Sequence, residues 1–180
     1  MMRVDYAWTE PQFVRQALYD YEVGPRRQRQ RLLLGLTLVT VLGLILINMS
    51  YRGFSFSIWD LVLIAAVLCW YTLRGTLLTW SLGRAYRRSG IDGVKLAYEV
   101  DESGVKLKVN QAAEQSWPWS QMKRVVRTRE GFLLYPGPMW LPLRHFPEDV
   151  NPDEFAALLQ RKVVDYQDHS QHQLKLKDDF

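Results

Sequence analysis

The chain has 180 residues, a formal net charge of +4 and a mean hydropathy of −0.19, an average that by itself suits a soluble protein. Its single cysteine, Cys69, excludes an internal disulfide, and no paired metal-ligand spacing or glycine-rich phosphate loop occurs. The small positive charge gives little reason to invoke nucleic acid, and a chain of this length has room for one modest domain beside any membrane segment.

In chain order, residues 1–25 predict an amphipathic strand followed by a helix. Val4-Asp5-Tyr6-Ala7-Trp8 alternates as a short strand does, and Thr9-Glu10-Pro11-Gln12 places a cap, a first-turn proline and a capping-box partner. Phe13, Ala17, Leu18 and Tyr21 then share one helical face. That face suits either packing on the carboxy-terminal domain or lying in a membrane interface, and Asp20 and Glu22 argue against the second because anionic lipid repels them.

Residues 32–50 and 58–82 are the two apolar stretches. Leu32 to Met49 holds no ionisable side chain and would span about 27 Å as a helix, close to the hydrocarbon thickness of a bilayer. In the second stretch Trp59 and Trp80 would stand about 31 Å apart along the axis, one at each headgroup boundary. Ser57 and Asp60 read as a capping pair at the start of that helix. Arg26, Arg27, Arg29 and Arg31 precede the pair, Arg84, Arg87 and Arg88 follow it, and the loop between carries only Arg52. Positive residues mark cytoplasmic flanks, so a transmembrane helical hairpin with both termini cytoplasmic is expected, and no reaction can be read from it.

Within the spans, Gly35 and Gly43, and likewise Gly75 and Gly83, recur about two helical turns apart, a spacing that lets a neighbouring helix approach. They could hold the hairpin together, bind a second copy, or bind another membrane protein. Arg74 is placed to snorkel to the headgroups or to meet a partner's acid.

From residue 91 the pattern becomes β-like. Val94, Leu96, Tyr98 and Val100 alternate, Asp101 to Gly104 turns, and Val105, Leu107 and Val109 alternate again, predicting an antiparallel hairpin. Gln115 to Trp119, Met122 to Arg129, Phe132 to Tyr135 and Met139 to Leu143 give four further strands. Asn151-Pro152-Asp153-Glu154 then starts a helix with Phe155, Leu158, Leu159 and Val163 as its apolar stripe. The class is an α+β membrane protein, in which residues 91–166 form a small curved sheet or partly open barrel capped by a helix. Residues 167–180 are expected to be a disordered polar tail.

Trp117-Pro118-Trp119-Ser120, Phe132-Leu133-Leu134-Tyr135 and Leu141-Pro142-Leu143-Arg144-His145-Phe146, in this order after an amphipathic segment and two spans, resemble the YcxB-like family of bacterial membrane proteins. The resemblance covers nearly the whole chain and departs from the family at His145, where a second basic residue is common. It implies a bacterial inner (plasma) membrane location and a pleckstrin-homology-like (PH-like) carboxy-terminal domain, with no catalytic residues to carry over.

Cys69 lies in an apolar run and His169 and His172 in the tail, so His145 is the one candidate base in the domain, with no nucleophile beside it. The reading is therefore a non-enzymatic adaptor or regulatory subunit without cofactor or metal. It would dock to another integral membrane protein, or to its own copies, through the hairpin and the domain. The alternative is a sensor of anionic lipid headgroups, using Lys106, Lys108, Lys123, Arg124, Arg127 and Arg129. Trp117, Trp119 and Trp140 are either core or the lining of a groove for a partner peptide.

Overall fold

The computed structural model describes residues 2–25, 27–53, 57–110 and 112–174, and only the backbone of 27–31. The side chains of the arginines at 26–31, the middle of the 50–57 loop and the tail from 175 lie outside the described residues.

Strand β1 (Met2–Ala7) turns Met2, Val4 and Tyr6 inward and Arg3 and Asp5 outward, the alternation that a half-buried strand requires. It pairs antiparallel with β2 (Lys95–Val100), setting Val4 opposite Tyr98. A turn in which Asp101 Oδ1 accepts from the amides of Ser103 (2.7 Å) and Gly104 (3.1 Å) leads to β3 (Gly104–Val109). β3 pairs with β4 (Gln115–Pro118), giving a first sheet of order β1-β2-β3-β4. The second sheet has the order β7-β6-β5-β8. There β5 (Arg124–Thr128), β6 (Gly131–Tyr135) and β7 (Met139–Pro142) run antiparallel, and β8 (Tyr166–His169) lies parallel to β5.

The apolar run Phe132-Leu133-Leu134 is fully buried on both faces of β6, which is why it reads as continuous instead of alternating. Two helices cover these strands. In α1 (Glu10–Val23) Tyr19 stacks on Trp140 at 5.7 Å, and in α4 (Pro152–Lys162) Phe155 meets Phe132 edge-on at 5.1 Å. Asn151 caps α4 by accepting from the Asp153 amide at 2.9 Å, as its sequence predicts.

Two features of this unit depart from the sequence reading. It comprises Met1–Gly24 together with Leu82–Phe180, so the domain expected over 91–166 also takes its first strand and first helix from the other side of the apolar pair. The 167–180 stretch does not begin as a disordered tail, because Tyr166–His169 completes a sheet and His172 Nε2 sits 2.6 Å from Glu22 Oε2 of α1. Polarity misled here: an edge strand needs backbone partners more than apolar side chains.

The helical face is also rotated from the expected one. Leu18 is buried as anticipated, but the rest of the buried face is Val14, Tyr19 and Val23 with Gln12 and Gln16, whereas Phe13, Ala17 and Tyr21 are half-buried. The two glutamines go inside because their amides find partners there: Gln16 Nε2 donates to the Pro138 carbonyl, and the Gln12 amide meets His145 Nε2 at 3.0 Å.

The other unit, Pro25–Ser81, holds α2 (Arg27–Tyr51) and most of α3, whose full extent is Ile58–Ser89, past the expected end at 82. Leu32–Tyr51 and Ile58–Ser89 are each long and apolar enough to cross a membrane, and only 6% and 0% of their most apolar windows are buried. Leu33, Leu36, Val39 and Leu46 on α2, and Leu61, Leu68 and Leu73 on α3, stand exposed. Near the turn, Asn48 Nδ2 donates to Asp60 Oδ1 at 2.9 Å and the Ser57 amide donates to Asp60 Oδ2 at 2.9 Å. Asp60 thus closes the expected capping box and also ties one helix to the other.

Candidate functional site

Helix α1, strand β7 and the 3₁₀ turn Leu143–His145 enclose a cleft of about 520 Å³. Pro11, Pro142 and Leu143 line it with the ring of Trp140, and Gln12, Arg15, Glu130 and Arg144 supply its polar groups. Arg15 Nη1 pairs with Glu130 Oε2 at 3.0 Å, and the Tyr19 hydroxyl lies 3.4 Å from Glu130 Oε1. Burial, with the Glu130 charge beside it, pushes the Tyr19 phenol well above its usual range, so it stays a neutral donor.

His145 stacks on Tyr6 at 5.5 Å and touches Gln12. Burial first, then the Arg144 charge, holds its imidazole below the ordinary histidine value. Among the described residues lining the cleft there is no serine, cysteine or threonine. Among the described residues no cluster of three or more His, Cys, Asp or Glu side chains could hold a metal. The cleft combines an apolar wall with paired polar groups, an arrangement that can bind a ligand.

The other residues singled out from sequence fall into three sets. Trp119 and Trp140 are core residues, with Trp119 Nε1 donating to the Asp101 carbonyl at 3.1 Å, while Trp117 packs half-buried against the same core. Of the three, Trp140 lines the cleft.

The cationic set is split between the two sheets. Lys106, 3.7 Å from Asp101, and the exposed Lys108 belong to the first, and Lys123, Arg124, Arg127 and Arg129 lie in or beside β5 of the second. Arg124 and Arg127 are engaged internally: Arg124 Nε meets Asp165 Oδ2 at 2.5 Å, and Arg127 Nη2 meets Asp153 Oδ1 at 2.6 Å. Burial opposes the Arg127 charge, but the hydrogen bond and charge of Asp153, with Asp168 and Tyr166, raise its pKa further.

Of the helix positions, Gly35 and Gly43 face open space among the described residues: outside their own helix backbone, nothing lies within 4 Å of where a Cβ would stand. Gly75 lies in the body of α3, where its carbonyl accepts from Thr79 Oγ1 at 3.0 Å. Gly83 packs on α1, where a Cβ would stand 2.6 Å from Glu10 Oε1, a carboxylate that pairs with Arg87 at 2.5 Å. Arg74 lies over the Tyr71 ring at 4.5 Å.

No protein-family model, curated protein or solved structure matches this chain. Function must therefore be argued from the residues themselves. Sequence reasoning missed the cleft because its walls come from segments on either side of the apolar pair. The one signal that could have exposed it was the pair of glutamines at 12 and 16, one turn apart on a helix for which packing on the domain was one of two readings.

Proposed function

We propose that the chain is an integral inner-membrane protein of the YcxB-like type, a non-enzymatic adaptor or regulatory subunit with a PH-like domain on the cytoplasmic side. The observation that carries this reading is the pair of apolar helices on which most leucines and valines stand exposed, at 6% and 0% burial of their most apolar windows. Such surfaces need lipid or a partner helix to cover them. Support for a cytoplasmic placement comes from the sequence, where basic residues flank both outer ends of the pair. The resemblance rests on the quoted segments and their order.

The geometry favours docking over headgroup sensing. Two of the six cations that a lipid sensor would use are committed to Asp165 and Asp153. The test is affinity purification of the full chain in a mild detergent. Recovery of a stoichiometric membrane partner, or of a second copy, is the expected result; a chain that purifies alone as a monomer would sink the adaptor reading. Vesicle binding that rises with anionic lipid and falls with salt would instead favour the sensor.

A further inference from the structure

The two arginines of the cleft differ in how their charges are matched. Arg15 pairs with Glu130 at 3.0 Å, and that pair is neutral overall. Arg144 is exposed and meets no carboxylate among the described residues; its partners are neutral acceptors. Its Nε lies 3.2 Å from His145 Nε2. Gln12, turned so that its nitrogen donates to the Ala7 carbonyl at 2.8 Å and to the Thr9 hydroxyl at 3.1 Å, offers its amide oxygen to Arg144 Nη2 and Nε. Neutral acceptors orient a guanidinium without cancelling its charge, and the remaining N–H bonds on Nη1 and Nη2 are left for a ligand.

The turn that carries Arg144 is itself fixed. The Leu143 amide donates to the Glu130 carbonyl at 2.8 Å, and the His145 ring stacks on Tyr6 at 5.5 Å. Beside the charge the wall is apolar and largely flat, made of the rings of Trp140, Pro11 and Pro142 with the Leu143 side chain. The volume of about 520 Å³ falls in the range of sites that enclose a small molecule. With two arginines against one glutamate, the lining has one positive charge in excess. A single carboxylate matches that excess and the planar fork of Arg144, whereas a phosphate monoester would bring nearly twice the charge.

We propose that this cleft binds a small organic monocarboxylate with a flat apolar body. The carboxylate accepts from Arg144, and the body lies against Trp140, Pro142 and Leu143. The inference rests on the cleft alone and not on the adaptor reading: loss of ligand binding would leave a recovered membrane partner unexplained by it, and a chain that purifies alone could still bind the acid.

The probe is naphthylacetate, titrated by calorimetry into the full chain in detergent, with the heat of its transfer to protein-free micelles subtracted. Saturable binding at one site is expected. Naphthylacetamide, which keeps the body and removes the charge, should bind about tenfold more weakly or less, and Arg144→Gln should weaken the acid by a similar factor. Arg144 is exposed, so this variant should keep the fold, and the comparison of acid with amide on the unaltered chain needs no variant at all. Absence of saturable binding, equal affinity for acid and amide, or equal affinity of the two chains for the acid would overturn the proposal. Inorganic phosphate displacing the acid at equal concentration would overturn the assignment to carboxylates.

Discussion

The Tyr6 hydroxyl donates to the Trp140 carbonyl at 2.7 Å, joining residues 134 positions apart, one before the apolar helices and one after them. With the β1 to β2 ladder, this bond makes the first strand a structural part of the domain instead of a leader to the membrane segment. Tyr6→Phe removes the donor and leaves a buried carbonyl unmatched, a loss of about 1 to 2 kcal/mol. Thermal unfolding of the full chain in detergent should show a midpoint lower by roughly 2 to 8 °C.

The depressed basicity of His145 predicts a pH dependence with a definite sign. The folded chain holds the ring neutral through burial and the Arg144 charge, while the unfolded chain takes up a proton near the usual value of about 6.5. Its contribution is therefore complete above that value and is lost as pH falls through the lower folded value. The melting temperature should drop between pH 7.5 and 5.5, and His145→Gln should make the drop shallower. An identical slope in both proteins would show that the ring does not titrate against folding.

Asp60 joins the helices at the turn, accepting from Ser57 and Asn48. Asp60→Ala removes both bonds, with about 1 kcal/mol for the cap and about 0.6 kcal/mol for the interhelical bond. Cysteines placed near the turn on α2 and α3 should crosslink more slowly in the variant, and unchanged rates would show that the turn holds without Asp60.

Three glycines should respond differently to a side chain. At Gly131 a Cβ would run into the Leu141 carbonyl and stand 2.8 Å from Trp140 Cη2, so Gly131→Ala should cost on the order of 2 kcal/mol in melting experiments. At Gly83 the obstacle is the far end of the Glu10 side chain, so Gly83→Ala should be neutral or stabilise by up to about 1 kcal/mol through helix propensity. At Gly35 nothing outside the helix's own backbone lies within 4 Å among the described residues, and Gly35→Leu should leave unfolding unchanged. If that face binds another helix, the same substitution should abolish co-purification of the partner.

Most elements of this chain were legible because their signals are local. The alternation of residues 94–100 and 105–109, the cap at Asn151 and the two apolar runs each depend on neighbours a few positions away, and all reappear as β2, β3, α4, α2 and α3. Helix and strand periods are properties of the backbone that a short stretch already carries.

Pairing across distance was not legible in that way. Whether Gln12 and Gln16 faced water or protein depended on the Pro138 carbonyl and His145, which the chain brings near only after passing through two apolar helices. The polar residues Tyr166–His169 carry no apolar stripe, and they became a strand because β5 had an unpaired edge beside them. The sequence by itself determined that two stretches are greasy enough for a bilayer and that the remainder is β-rich with closing helices. The tertiary structure alone decided which distant segments share a core and which cations are already paired, because a buried polar group or a bare strand edge takes its partner from space and not from sequence order.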